Sequence, residues 1–262
     1  MSVNSHLNII ACGAVLRDIE KQSILRSINT LRTRLGYYFP KYLQKHFIFG
    51  SYTRSTILPR KYDARSDIDY MIIFRDPKYS PQTYLNWLKY FVEYYYQRSE
   101  ITQSYPTIML NLNHIRFELV PALNSIFTGY QIPSPSNLLE KWIPTSPNEF
   151  NKKLTDKNTN NYFLIKPLIR IIKYWNAING YVFPSFELEQ TVVNMNFWGC
   201  NSISSYFYSA VDQLYIPPLM PQWKKTAIDK LKRIKNQAQY YERNRMPMAA
   251  EIEICKAIPR MG

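Results

Sequence analysis

The chain lacks any long uninterrupted hydrophobic run. Although 46% of its 262 residues are hydrophobic, no stretch approaches the ~18 apolar residues that a membrane-spanning helix needs. The first residues, MSVNSHLNIIACGAVL, also lack the basic start and continuous apolar core of a secretory signal, because polar residues 4–6 precede a short apolar patch. We therefore expect a soluble cytoplasmic protein with no membrane partner, folded as one large domain or as two small lobes that share a cleft.

Cysteine is scarce, and its spacing argues against two kinds of cysteine-based site. Cys12, Cys200 and Cys255 stand far apart in the chain. The number is odd and no two of them have the spacing of metal ligands. We therefore expect neither a disulfide framework nor a zinc site.

Acidic residues are few relative to basic ones. The chain has 19 Asp and Glu against 33 Lys and Arg, which gives a formal net charge of +14. Such a charge favours a polyanionic partner, either nucleic acid or nucleoside triphosphates, but a solvated basic surface has the same composition. The 22 tyrosines also allow two interpretations: some could stack on bases, whereas a stretch such as residues 91–96 is typical of the core and rim of a helix.

The first half of the chain alternates between helical and strand patterns. The apolar stripe over residues 14–38 predicts a long helix, and residues 47–49 and 67–74 have the composition of strands. Pro81 after Ser80 indicates the start of a helix near 81–98. TIMLNL and HIRFELVPAL then form a predicted strand pair. These elements predict a mixed sheet with helices against one face, which is an α+β fold.

The second half begins with a stretch rich in Pro, Ser and Asn, residues 131–160, which resembles a linker or a long surface loop. Three helical patterns follow: LIKPLIRIIKYWNAING, FELEQTVVNMNFW and the basic PQWKKTAIDKLKRIKNQAQYYE. We therefore expect an N-terminal lobe over residues 1–130 and a helical C-terminal lobe over residues 131–262.

Two aspartates interrupt a segment that otherwise has the composition of a buried strand. In FIFGSYTRSTILPRKYDARSDIDYMIIF, the period of two places Asp67 and Asp69 on the same face of that strand. Two like charges ~7 Å apart repel each other unless a cation lies between them. Upstream, the Gly50-Ser51 turn follows an apolar strand and exposes backbone N–H groups suited to phosphate.

A third carboxylate, Glu118, follows two residues after Arg116 in IRFELVPAL and shares its face. If the two strands are adjacent, three carboxylates gather near the Gly50-Ser51 turn, an arrangement suited to two divalent ions and in-line phosphoryl transfer. In the alternative interpretation, Asp67 caps a turn, Asp69 pairs with Arg65, and Glu118 is a charge at a strand edge.

The ordered blocks of this chain resemble a known family. GSYTRSTILPRKYDARSDIDYMIIF resembles the Gly-Ser and Asp-x-Asp signature of the DNA polymerase beta-like nucleotidyltransferases. Together with ELVPAL, LIRIIKYWN and SFELE, it is similar to the bacterial cGAS/DncV-like nucleotidyltransferases (CD-NTases), the signal-making enzymes of CBASS anti-phage systems. The resemblance extends over most of the chain, and many relatives carry Asp where this chain has Glu118.

The resemblance implies a role for each residue of the site, which would lie in the cleft between the lobes. It implies that Asp67, Asp69 and Glu118 are catalytic and bind two Mg²⁺ or Mn²⁺ ions. The implied nucleotide-binding residues are Gly50, Ser51, Arg54, Thr56, Ser66, Lys173 and Ser185. Two ordinary structural interpretations stay open, because Lys173 could extend to solvent from an amphipathic helix and Ser185 could be a plain N-cap.

The implied activity is the joining of nucleoside triphosphates (ATP, GTP or others) into a cyclic di- or trinucleotide that a downstream effector senses. We expect a monomer with weak or no nucleic-acid binding. Two alternatives remain: a nucleotidyltransferase that adds nucleotides to RNA or to a protein, and an inactive nucleotide- or RNA-binding module. The intact carboxylate set argues against the second, since clustered negative charge does not help a protein bind a polyanion.

Overall fold

The structure is a computed structural model that describes residues 2–104, 106–125, 129–134 and 142–260. In chain order its elements are α1 (Val3–Gly13), α2 (Asp18–Tyr38), β1 (Leu43–Phe49), α3 (Gly50–Thr53), β2 (Asp67–Phe74), α4 (Pro81–Tyr95), β3 (Glu100–Ser104), β4 (Thr107–Asn111), β5 (Arg116–Ser125), β6 (Gly129–Pro133), β7 (Trp142–Thr145), α5 (Pro147–Thr159), α6 (Ile165–Ile178), α7 (Ser185–Asn194), α8 (Ile203–Gln213), α9 (Gln222–Arg243) and α10 (Pro247–Cys255).

The chain forms two compact units. The sheet unit contains residues 16–60 and 65–151, and the helical unit contains residues 1–15, 61–64 and 152–262. This division differs from the predicted one at residue 130, because β6 pairs with β5 and β7 pairs with β6, so both strands belong to the sheet. Helix α1 belongs to the helical unit, where it packs against α6, α8 and α10.

The sheet unit is built on a mixed sheet with strand order β1-β2-β5-β4-β3 among its described strands, and β6 and β7 continue from β5. Strands β2 and β5 are parallel, whereas β1 is antiparallel to β2 and β4 is antiparallel to β5. Parallel neighbours need a crossover connection, and here α4 and the β3–β4 hairpin lie between β2 and β5 in the chain. The predicted α+β class is confirmed.

One face of this sheet carries the core of the unit. The face is apolar at alternate positions of β2, namely Ile68, Tyr70, Ile72 and Phe74, as the period of two requires. Helix α2 buries a stripe at 24, 28, 31 and 35, and α4 adds its own buried side chains to the same cluster. Each fully buried apolar side chain of this kind contributes roughly 1.5–3 kcal/mol. The core therefore holds β2 and β5 side by side and leaves the opposite face to their other side chains.

The helical unit is held by the apolar faces of its helices and by polar contacts to the last described residues. Helix α6 is buried along most of its length, including Trp175 at 2% exposure. The buried His6 of α1 has its Nε2 2.7 Å from the Ile258 carbonyl oxygen, and the Tyr174 hydroxyl donates to the Pro259 carbonyl. None of the helices described has the length and hydropathy to cross a bilayer.

The long helix predicted over residues 14–38 is present as α2, but it begins four residues later than predicted. It begins at Asp18 because the Glu20 carboxylate accepts a hydrogen bond from the Arg17 backbone N–H at 2.8 Å. Ile19, placed in the predicted apolar stripe, is 78% exposed.

The prediction of a linker over residues 131–160 is also wrong where that segment is described. It contains the end of β6 and all of β7 and α5, while residues 135–141 lie outside the described residues. The prolines of this segment favoured the linker prediction. In the structure, however, Pro133 ends β6 and Pro144 lies in β7, and an edge strand tolerates proline. The structure also adds α1, β3, α8 and α10, for which no element was predicted.

Candidate active site

The register of two parallel strands brings the three predicted carboxylates together. Asp69 on β2 is directly beside Glu118 on β5, and Asp67 is beside Arg116. All four side chains lie on the sheet face opposite the core, because the flanking residues Ile68 and Phe117 are buried in it. The prediction of three gathered carboxylates depended on β2 and β5 being adjacent, and these strands are adjacent.

The Gly50 turn passes directly over one of these carboxylates. Gly50 follows β1, whose last residue Phe49 pairs with Asp69, and it has φ +74°. An added Cβ at Gly50 would lie 1.7 Å from Asp69 Oδ2. Only glycine combines this left-handed backbone with so close an approach to a side chain.

The residues after Gly50 stabilise the turn. The Thr53 hydroxyl donates to the Gly50 carbonyl at 2.9 Å, and the Thr56 backbone N–H donates to the Ser51 carbonyl at 3.0 Å. Thr56 is fully buried, and the Arg54 guanidinium lies 5.3 Å from the centre of the Phe150 ring. The described contacts thus show that Arg54 and Thr56 help to shape the loop. Contact of nucleotide with Arg54, with Thr56 and with the buried Ser66 stays a prediction.

Arg116 is a residue of the site that the sequence analysis did not include. Its Nη2 donates to the Arg65 carbonyl oxygen at 2.7 Å and to Asp67 Oδ2 at 2.9 Å, and it lies 3.7 Å from Glu118 Oε1. The signal was present in the alternation of β5, which places Arg116 on the same face as Glu118. Its pairing with Asp67 depends on the register between two strands distant in sequence.

Glu118 has an electrostatic environment unlike that of an exposed carboxylate. Burial raises the pKa of Glu118 to about 7, and the neighbouring Asp67 charge adds to the rise while Arg116 opposes it. Burial is the main cause because it disfavours the charged form of the carboxylate, and the repulsion from Asp67 acts in the same direction.

The same carboxylates are suited to a divalent cation. Within the described part of the chain, no three His, Cys, Asp or Glu side chains are grouped so as to hold a metal ion by themselves. In the present arrangement a single cationic nitrogen, Arg116 Nη2, lies among three oxygens of Arg65, Asp67 and Glu118. Because these donors are all oxygen and already surround a positive charge, the residues fit Mg²⁺ or Mn²⁺.

The two predicted phosphate-binding residues of the helical unit have different surroundings. Lys173 on α6 is only 6% exposed, and its Nζ lies 2.9 Å from Oε1 of the buried Glu189 on α7. Its ammonium group is thus paired inside the unit. The amphipathic-helix interpretation required this group to extend to solvent, and it does not. Ser185 is exposed and is the first residue of α7, whose N-cap is Pro184, so Ser185 is not the N-cap.

Comparison with known proteins identifies relatives in sequence and in fold. A family model described as the Second Messenger Oligonucleotide or Dinucleotide Synthetase domain (SMODS) matches residues 1–158. The Cyclic AMP-AMP-AMP synthase of Acinetobacter sp. (strain ATCC 27244 / 9458) is 26% identical over 165 residues, which are 58% of this chain and 45% of that protein. The match therefore spans less than half of that curated relative.

Two solved structures share the fold over nearly the full length of both chains. The structure of E. coli MS115-1 CdnC with ATP has a TM-score of 0.74 at 14% identity and covers 100% of this chain and 99% of its own. The Bradyrhizobium diazoefficiens CD-NTase CdnG in complex with GTP has a TM-score of 0.73 at 10% identity, with 98% of each chain covered. Since the family model matches more than half of the chain, this protein belongs to the SMODS family and is a bacterial CD-NTase in fold.

Proposed function

We propose that this protein is a metal-dependent nucleotidyltransferase that joins nucleoside triphosphates into a cyclic di- or trinucleotide second messenger. The observation that carries the proposal is the β2–β5 register, which places Asp67, Asp69 and Glu118 on one face beside the Gly50 turn in a chain of the SMODS family. The enzyme acts in the cytoplasm as part of CBASS anti-phage defence, and an effector senses its product.

The carboxylates hold the divalent cations, two in number, and orient the attacking ribose hydroxyl. Divalent ions bound to such carboxylates lower the pKa of an attacking hydroxyl and neutralise charge on the triphosphate. Asp67, Asp69 and Glu118 supply the oxygen ligands, and Glu118 orients the ribose 2′ or 3′ hydroxyl toward the α-phosphate of the second nucleotide. Pyrophosphate is then the leaving group.

The donor triphosphate is bound at the Gly50 turn. Gly50 leaves the backbone uncovered so that phosphate oxygens can approach it, and the Ser51 hydroxyl donates to them. Arg54 and Thr56 hold the loop in this shape. Ser66, Lys173 and Ser185 are the further phosphate contacts of the proposal, and Lys173 makes its contact only when its ammonium group leaves the buried Glu189 carboxylate.

The reaction is tested by incubating the protein with all four radiolabelled nucleoside triphosphates and Mg²⁺ or Mn²⁺, followed by phosphatase. We expect small, phosphatase-resistant products without any added polynucleotide, because a cyclic nucleotide has no terminal phosphate. Label that appears in RNA or on a protein would instead support a nucleotidyltransferase that modifies those targets. A strict requirement for added polynucleotide would contradict the expected weak or absent binding of nucleic acid.

The buried pair of Lys173 and Glu189 makes a separate prediction. Lys173→Met leaves the Glu189 carboxylate buried without its ammonium partner, so we expect about 3–5 kcal/mol of destabilisation, measured by chemical denaturation. The double variant Lys173→Met/Glu189→Leu removes both charges and should recover most of that loss. We expect this folded double variant to have kcat/KM lowered about ten- to a hundredfold, since a charged contact with phosphate is worth roughly 1.5–3 kcal/mol.

The double variant separates the structural role of Lys173 from its proposed contact with nucleotide, whereas Lys173→Met alone changes both. If its kinetics for each triphosphate equal those of the unchanged protein once stability is recovered, Lys173 only joins α6 to α7 and does not contact nucleotide. Glu189→Leu alone is the matched control, because it leaves the buried ammonium without its partner and should lower stability by a similar amount.

A further inference from the structure

Arg116 occupies the place where the carboxylates need a cation. One nitrogen, Nη2, lies 2.7 Å from the Arg65 carbonyl oxygen, 2.9 Å from Asp67 Oδ2 and 3.7 Å from Glu118 Oε1. A surface ion pair has one partner for its charge, whereas this nitrogen lies among three oxygens from three residues. Three oxygens around one positive centre form the kind of environment that a hard cation prefers.

The fold leads Arg116 to this position. It is the direct neighbour of Asp67 across the parallel β2–β5 pair and lies two residues before Glu118 on the same strand face. Its side chain is 19% exposed, so the guanidinium is largely shielded from water, where a charge pair is stronger than at the surface. The contacts are consequently set by strand register and not by the chance rotamer of an exposed side chain.

We propose that Arg116 is a built-in counter-ion that neutralises Asp67 and Glu118 when no metal is bound and competes with the divalent cation for the same oxygens. The inference rests on the proposed metal-dependent function. A guanidinium and a divalent ion that share the same oxygens weaken each other's binding, since their positive charges repel at contact distance. Arg116 therefore withdraws as the ion binds, which its long side chain permits, and the observed affinity for metal is lower than the carboxylates alone would give.

The test measures metal binding and metal-free stability of the full chain, without nucleotide. Mn²⁺ is titrated into Arg116→Met and into the unchanged protein, and free Mn²⁺ is followed by electron paramagnetic resonance. We expect the Mn²⁺ dissociation constant of Arg116→Met to fall about tenfold, equivalent to about 1.4 kcal/mol. In EDTA, the same variant should melt at a lower temperature, because Asp67 and Glu118 then repel each other without a counter-ion.

The matched control is Arg75→Met, which makes the same change in net charge just after the other end of β2, where the Arg75 Nε donates to the Leu43 carbonyl. Its Mn²⁺ dissociation constant should stay within about twofold of the unchanged protein, since exposed charges this far apart are screened. Unchanged or weaker Mn²⁺ binding in Arg116→Met would overturn the competition while leaving the metal-dependent reaction intact. If the unchanged protein binds no Mn²⁺, the metal-dependent function itself fails and the competition fails with it.

A double-mutant cycle tests the counter-ion role without any metal. Asp67→Asn should reduce the loss of melting temperature caused by Arg116→Met, because the repulsion that Arg116 relieves is then absent. Strictly additive effects of the two substitutions in EDTA would contradict the proposed pairing.

Discussion

We expect the replacement of Asp67 and Asp69 together by Asn to abolish product formation while the protein stays folded. Both side chains are partly buried on the face of β2 opposite the main apolar core, Asp69 lies beside Glu118, and neither contributes to that core. Asparagine keeps the shape of aspartate but has no negative charge, so it is a poor ligand for a divalent cation. Because metal stabilisation of phosphoryl transfer is worth several kcal/mol, we expect activity to fall by about a thousandfold or more.

Stability and activity are measured on the same preparation. Circular dichroism and thermal melting should show a folded protein. The substitution breaks the ion pair of Asp67 with Arg116, but it also removes the repulsion between like charges on one strand face, and the two effects oppose each other. Asp18→Asn is the control, since Asp18 is exposed on α2 and pairs only weakly with Lys21 at 3.1 Å. Turnover near that of the unchanged protein in the double variant would contradict the two-metal mechanism.

Gly50→Ala is the second substitution with a large expected effect. The added Cβ would lie 1.7 Å from Asp69 Oδ2, 2.6 Å from its Cγ and 2.9 Å from its Cβ. Rotating the terminal oxygens cannot relieve this overlap, because the Cβ of Asp69 itself is too close. The carboxylate or the turn must therefore move, and a displacement of about 1 Å can cost on the order of a hundredfold in rate.

The matched control for Gly50→Ala is Gly199→Ala. Gly199 has φ +76°, close to the +74° of Gly50, but an added Cβ there meets no atom within 4 Å. Both variants thus carry the backbone strain of a left-handed alanine, roughly 1–2 kcal/mol, and only one carries the collision. We expect Gly199→Ala to lose a few degrees of melting temperature and to keep its activity, whereas Gly50→Ala loses activity at temperatures where it is folded. Equal activity in the two variants would show that the approach of Gly50 to Asp69 is unimportant.

Much of the fold was accessible from local patterns. β2 extends over residues 67–74 and α4 begins at Pro81 after the Ser80 cap, both as predicted, since alternation and capping are local properties. The errors lie where tertiary contacts override local composition. Strands β6 and β7 form despite their prolines, because β6 pairs with β5 on one side and with β7 on the other, which satisfies backbone groups that the local composition left out of account.

The candidate site divides in the same way between local and distant information. The alternation of SDIDYMIIF placed Asp67 and Asp69 on one face, and the Gly-Ser turn indicated where the chain bends sharply. Lys173 was read as a phosphate ligand or a solvent-directed side chain, but its burial against Glu189 depends on how α6 and α7 pack. No pattern within LIRIIKYWN contains that information.

By itself, the sequence determined the residue types of the chemistry, the faces from which they project and the family to which the blocks belong. These properties follow from the strand period of two, from glycine at a sharp turn and from the order of the motifs along the chain. Only the tertiary structure decided that Asp69 is beside Glu118, that Gly50 lies over Asp69, and that Arg116 supplies a cation to Asp67. The physical reason is register: paired residues of β2 and β5, such as Asp67 and Arg116, are 49 positions apart in the sequence. Burial of the common apolar face selects the one alignment in which the polar side chains meet.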